Sequence, residues 1–176
     1  TFSPDFPTTE SAVDTTYNGG SGDGFVAQFS DDLSTLEYST YLGGADIDEV
    51  TGVAFDPDGR IVAAGATRSD DFPAPMGAFS GFDDAFVVRI SPDEFYLDGG
   101  TFFGAADVDE ARSLAIAPDG RIFIGGATRS GDFPTTAGAF DVTFGGSSDV
   151  FVTALSLPTL VAREAEPTPG IALATL

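Results

Sequence analysis

The stretch Pro57-Asp-Gly-Arg-Ile-Val-Ala-Ala-Gly-Ala-Thr-Arg-Ser-Asp-Asp-Phe-Pro73 decides the fold, because the chain contains it twice. It returns as Pro118-Asp-Gly-Arg-Ile-Phe-Ile-Gly-Gly-Ala-Thr-Arg-Ser-Gly-Asp-Phe-Pro134, 61 residues later. A partial copy opens the chain, where Thr1-Phe-Ser-Pro-Asp-Phe-Pro-Thr-Thr9 aligns with Thr128 to Thr136. Working outward, Tyr41-Leu-Gly-Gly-Ala-Asp-Ile-Asp-Glu49 matches Phe102-Phe-Gly-Ala-Ala-Asp-Val-Asp-Glu110 at the same spacing. Asp23-Gly-Phe-Val26, Asp84-Ala-Phe-Val87 and Asp149-Val-Phe-Val152 form a third set, spaced 61 and 65. The spacing varies only between the Phe-Pro and Asp-x-Phe-Val elements, which is how a surface loop behaves. A fixed period of this length is the mark of a solenoid or a propeller.

Inside each repeat the pattern is that of strands. Val53 and Phe55 alternate with Gly52 and Ala54, and Leu114 and Ile116 alternate with Ala115 and Ala117. Alternation of large and small residues predicts a strand packed on both faces. Pro57-Asp-Gly59 predicts a tight turn, with proline presetting φ and glycine taking the left-handed corner. Strands follow over 61–67, 84–90 and about 95–103, giving four per repeat and no helical period. The fold class expected is therefore all-β, with propeller blades of four antiparallel strands. A β-helix would use shorter coils, and an immunoglobulin-like sandwich would not repeat its sequence. One complete blade is expected over about 50–103, preceded by two strands and followed by three, within a partial propeller spanning 1–157. Propellers close with about 4–8 blades. We therefore expect the partners to be the remaining blades of a longer chain or other copies of this one.

Composition narrows the function. The 28 acidic residues outweigh seven basic ones, all Arg, for a formal charge of -21. Such a surface repels phosphate, which sets aside nucleic acid and anionic membranes as partners. Hydrophobic residues at 42% are too many for a disordered acidic chain. Cysteine and histidine are absent, which removes disulfides, thiol catalysis and imidazole bases. No apolar stretch is long enough to cross a membrane as a helix.

These motifs together resemble a known family. Asp-Phe-Pro-Thr-Thr, Gly-Ala-Phe (77–79 and 138–140), Asp-Ala-Phe-Val, Tyr-Ser-Thr-Tyr-Leu-Gly-Gly (38–44) and Gly-Val-Ala-Phe-Asp-Pro-Asp-Gly (52–59) resemble the SBBP, or seven-bladed β-propeller, repeat. The resemblance covers about residues 1–157. It implies a propeller of bacterial or archaeal exported and surface proteins, without a defined enzymatic activity. The third repeat departs by carrying Ala117 where Asp56 stands, and Phe102-Phe-Gly-Ala for Tyr-Leu-Gly-Gly. After Pro158 the repeat stops. Residues 158–176 form a Pro-rich tail, of which Ala165 to Leu176 resemble the start of a PEP-CTERM sorting signal, with Ala165 in place of the first proline. That resemblance implies export to the cell envelope or beyond.

The expected function is a non-catalytic scaffold for protein or glycan contacts. Two alternatives stand beside it: a polysaccharide-active hydrolase or lyase whose catalytic residues lie in other blades, and a calcium-stabilised adhesion module. No catalytic or cofactor-binding residues are assigned. The metal candidates are Asp46, Asp48, Glu49, Asp107, Asp109 and Glu110, repeated in register beside glycine-rich turns. Clustered carboxylates suit Ca²⁺, a hard ion with oxygen ligands. The competing reading is a solvated acidic loop that caps a strand. Asp23, Asp84 and Asp149 are expected to accept a backbone N–H and fix a turn. Arg68 and Arg129 are expected to pair with Asp70, Asp71 and Asp132 in their own loops. Tyr38 and Tyr41 are expected to pack rather than to stack on sugar.

Overall fold

The computed structural model describes residues 1–74, 76–91 and 96–158. Among them are nine strands and no helix. Strands β1 (Gly24–Phe29) and β2 (Leu36–Leu42) form a two-stranded sheet. Strands β3 (Asp48–Phe55), β4 (Ile61–Thr67), β5 (Asp84–Ser91) and β6 (Tyr96–Phe103) form a four-stranded sheet in chain order. Strands β7 (Asp109–Ile116), β8 (Ile122–Thr128) and β9 (Asp149–Leu155) form a three-stranded sheet. Every pairing between named strands is antiparallel. The protein is a partial β-propeller: one whole blade flanked by parts of two others.

The stacking follows from period two. Along β4, Ile61 and Ala63 enter the core shared with the first sheet, while Val62 and Ala64 enter the core shared with the third. Along β5, Phe86, Val88 and Ile90 take the first seam, and Ala85 and Val87 the second. Successive side chains of a strand point to opposite faces, so a blade with two neighbours must be apolar on both. Phe72, from the Asp-Phe-Pro loop after β4, closes the first core against Phe86 at a ring separation of 4.3 Å. Phe133 does the same against Phe151 at 4.8 Å.

The hairpins between β3 and β4 and between β7 and β8 keep one geometry despite different residues. Gly59 and Gly120 take φ of 80° and 83°. The N–H groups of Asp58 and Arg60 bond Oδ1 of Asp56. Ala117 has no carboxylate, and Asp119 instead accepts the N–H of Arg121 at 3.2 Å. The backbone bonds that close both turns are alike, Gly59 N to Asp56 O and Gly120 N to Ala117 O, each 2.9 Å.

The innermost strand corrects one expectation. The small-residue face of β3 packs on the next blade, where a Cβ on Gly52 would lie 2.9 Å from Cβ of Leu114, while toward the first core only Val50, near the start of the strand, is packed. Val53 and Phe55, on the other face, are exposed. Their face looks toward the first sheet, where only the third and fourth strands of a blade are present. The tail resembling a sorting signal lies outside the described residues.

Candidate functional site

The repeated aspartates do not gather as their spacing along the chain implies. In β3, alternation sends Asp48 inward and Glu49 to solvent. Asp46 is exposed, and its carboxylate accepts the N–H of Ile47. The third repeat is parallel: Asp109 is buried, Asp107 is exposed and accepts from Val108, and Glu110 pairs with Arg112 at 2.7 Å. Among the described residues no group of three or more acidic side chains is placed to hold a metal ion. Within each triplet, therefore, the carboxylates diverge.

What the fold brings together are acids 25 residues apart. Asp23 and Asp84 begin the third strand of one blade, and Asp48 and Asp109 begin the first strand of the next. The strand starts are stitched by backbone bonds, Asp48 N to Gly22 O at 2.9 Å and Asp109 N to Asp83 O at 2.7 Å. The carboxylates meet across a glycine. A Cβ on Gly43 would lie 2.8 Å from Oδ2 of Asp48 and 3.0 Å from Cγ of Asp23. A Cβ on Gly104 would lie 2.5 Å from Oδ1 of Asp84 and 3.0 Å from Oδ2 of Asp109. This gives the first glycine of the Leu-Gly-Gly and Phe-Gly-Ala motifs its reason: there is no room for a side chain between the two acids.

Each acid is held by short bonds from its own surroundings. Asp48 accepts the N–H of Gly44 at 2.7 Å, the hydroxyl of Ser69 at 2.9 Å and the hydroxyl of Thr67. Asp109 accepts the N–H of Ala105 at 2.7 Å and the hydroxyl of Ser130 at 2.8 Å. The Thr-Arg-Ser of the repeated stretch is thus half of the seam. The second member of each pair is held by the loop ahead of it. Asp23 accepts from Asn18 N at 2.8 Å, Asp84 from Ser80 N at 2.7 Å, and Asp149 from Gly145 N at 2.6 Å. These are the turn-fixing bonds expected of the three aspartates.

The electrostatics of the seams are unfavourable to two negative charges. Burial pushes the carboxyls of Asp23, Asp48 and Asp84 above the ordinary range. A carboxylate neighbour pushes the same way, Asp23 acting on Asp48 and Asp109 acting on Asp84. Arg68, whose partner Asp83 adjoins the second seam, is engaged outside the carboxylate pair. Arg68 bonds both oxygens of Asp83 and lies over the Phe82 ring at 5.2 Å. The within-loop pairing expected for Arg68 with Asp70 or Asp71 is therefore not formed; Asp71 accepts the N–H of Ala45 instead.

A shallow cleft runs along Asp23 to Phe25 and Asp48 to Val53, beside the first seam. Tyr38 and Tyr41 are buried and do not line this cleft. Tyr41 donates to Ser3 O at 2.7 Å and accepts from Phe6 N at 3.0 Å, tying the opening segment to β2.

The element order, the register of the repeat and the seam chemistry now stand together. Residues 37–73 match the family model of the SBBP beta-propeller repeat. The SBBP match begins in β2, crosses the seam, and ends at the Asp-Phe-Pro loop after β4. It therefore contains Gly43, Asp48, Thr67 and Ser69, one whole side of the carboxylate pair. A comparison with curated proteins finds no match.

Proposed function

We propose that this chain is a non-catalytic propeller module of an exported or cell-surface protein, serving as a scaffold for protein or glycan contacts. The observation that carries the reading is a contrast between equivalent repeat positions. Phe86 is 0% exposed in the whole blade, while its counterpart Phe25 is 42% exposed. Val87 is 0% exposed, and its counterpart Val152 is 82% exposed. Burying such a side chain is worth about 1.5–3 kcal/mol, so faces of this kind favour a covering partner. Further blades, on this chain or on another copy, have the matching shape. The buried polar groups fit the same reading, since they hold neighbouring blades in register and the chain has no histidine to act as a base.

The test is self-association. Light scattering on the 176-residue chain is expected to show mass rising with concentration. Val150→Lys combined with Val152→Lys, at 87% and 82% exposure, is expected to suppress the rise. The cost in stability should be no more than about 0.5 kcal/mol. A chain that stays monomeric at every concentration, with or without the lysines, contradicts the docking role of these faces.

A further inference from the structure

The seam between the second and third sheets leaves two buried carboxylate oxygens without a donor. Asp84 and Asp109 are both 0% exposed, and Oδ1 of each has no hydrogen-bond partner among the described residues. Oδ1 of Asp84 and several other oxygens are gathered around the side-chain-free faces of two glycines. A Cβ on Gly81 would touch the carbonyl oxygen of Ala105 and lie 2.7 Å from that of Asp107 and 2.8 Å from Oδ1 of Asp84. A Cβ on Gly104 would lie 2.5 Å from Oδ1 of Asp84 and 3.0 Å from Oδ2 of Asp109. The carbonyl of Asp107 accepts only a long 3.4 Å bond, from Phe82 N. A buried carboxylate oxygen with no donor is costly unless a cation joins it.

We propose that this seam holds a calcium ion, bound by the carboxylates of Asp84 and Asp109 and the carbonyl oxygens of Ala105 and Asp107. The chemistry favours this ion. Two carboxylates balance its charge, and oxygens from two chain segments, one at Asp84 and one running from Ala105 to Asp109, suit the irregular six- to eight-fold shell that Ca²⁺ takes. Two glycines, Gly81 and Gly104, leave the approach free of side chains. The ion would join the third strand of one blade to the first strand of the next. Asp107 contributes through its backbone, which is why its exposed carboxylate does not mark the site.

The first seam is built differently. Thr67 gives its hydroxyl to Oδ1 of Asp48, so both oxygens of that acid are engaged. Both threonines reach the carbonyl two residues on at 3.5 Å, but the hydroxyl of Thr128 makes no bond to Asp109, and Oδ1 of Asp109 is left open. Oδ1 of Asp23 is also buried without a partner, but with both oxygens of Asp48 engaged the first seam offers a single open carboxylate, so one site per chain is expected. The inference is independent of the scaffold reading, because its readout is metal binding and not association.

Calorimetric titration of the full chain with calcium chloride tests it. About 0.15 M salt keeps screening short-ranged, near 8 Å, and suppresses diffuse binding to the acidic surface. One binding event is expected. The melting midpoint should rise by about 5–10 °C at roughly 100 times the dissociation constant, and a chelator should reverse the rise. Asp84→Asn keeps the shape and the Ser80 bonds but removes a charge. It is expected to fold, to bind calcium at least about tenfold more weakly and to lose the thermal shift. Asp31→Asn, on the exposed β1–β2 turn, is expected to behave like the unsubstituted chain. Should Asp84→Asn fail to fold, Asp109→Asn carries the same test. No calcium heat in the unsubstituted chain overturns the proposal, and so does undiminished binding in a folded Asp84→Asn or Asp109→Asn chain.

Discussion

Single residues decide how each repeat differs from the next. Gly44 and Ala105 occupy one position, and a Cβ on Gly44 would collide with Asp71 and lie 2.6 Å from Cβ of Ser69. Where the alanine is present the loop has moved off: Ala45 N bonds Asp71 at 2.8 Å, but Ala106 N reaches Asp132 only at 3.5 Å. Outside the seams, the β1–β2 turn is organised by Asp32, which accepts from Ser30 Oγ at 2.7 Å, Ser34 N at 3.0 Å and Ser34 Oγ at 2.7 Å. The hydroxyl of Ser34, then that of Ser30, hold its carboxyl down to about 2. A depressed carboxyl stabilises the fold above its unfolded value, about 3.9, and that contribution is lost as pH falls through about 2. Carbon-detected NMR titration should find the Asp32 midpoint near 2, and Ser34→Ala should raise it toward 3.9. An unmoved midpoint in Ser34→Ala would refute the assignment. Little of this was legible beforehand, because a Ser-Asp-Asp-Leu-Ser turn looks like many acidic loops until its hydroxyls are placed.

At the scale of elements, the outer strands β5 and β6 are clamped by charge. Arg89 and Asp98 are side by side on paired strands, nearly buried, with Arg60 adding a 3.3 Å contact to Asp98. Arg89 also donates to the carbonyls of Leu157 and Pro158, each at 3.2 Å, so the segment after β9 is fastened to the preceding blade. Removing one partner of a buried pair costs about 3 kcal/mol or more, since the other charge is left in a poor environment. Arg89→Leu is accordingly expected to lower the urea unfolding free energy by about 3 kcal/mol. A loss within about 0.5 kcal/mol, as for an ordinary surface change, would mean that the clamp does not matter. Asp98 and Arg89 carry no repeat signature, so nothing along the chain pointed to them. The hairpins and strands, in contrast, were plain from Pro-Asp-Gly and from alternation, because those signals act between near neighbours.

Across the whole molecule, protection from solvent is graded from the middle outward. Strands β4 and β5 are buried along almost their full length, with neighbours on both faces. Strand β9 is exposed at alternate residues. Opening free energy follows packing, so native-state hydrogen exchange should be slowest in β4 and β5 and fastest in β9 and β1. Uniform protection across all nine strands would contradict the stacked arrangement. The same gradient explains a misjudged strand. Alternation in β3 correctly identified a two-faced strand, but whether each face is covered depends on the neighbouring blade.

The amino-acid order by itself determined the all-β class, the four-strand blade and the places where blades begin, because repetition and period two are local and countable. It also displayed every member of the seams: the repeated aspartates, the glycine between them, and the Thr-x-Ser that holds one side. Only the tertiary structure decided which of them meet. Asp84 and Asp109 lie on different blades, and their proximity comes from stacking, which no spacing along one strand encodes. The triplets that looked like clusters diverge because successive residues of a strand face opposite ways, and the acids that converge do so across a seam.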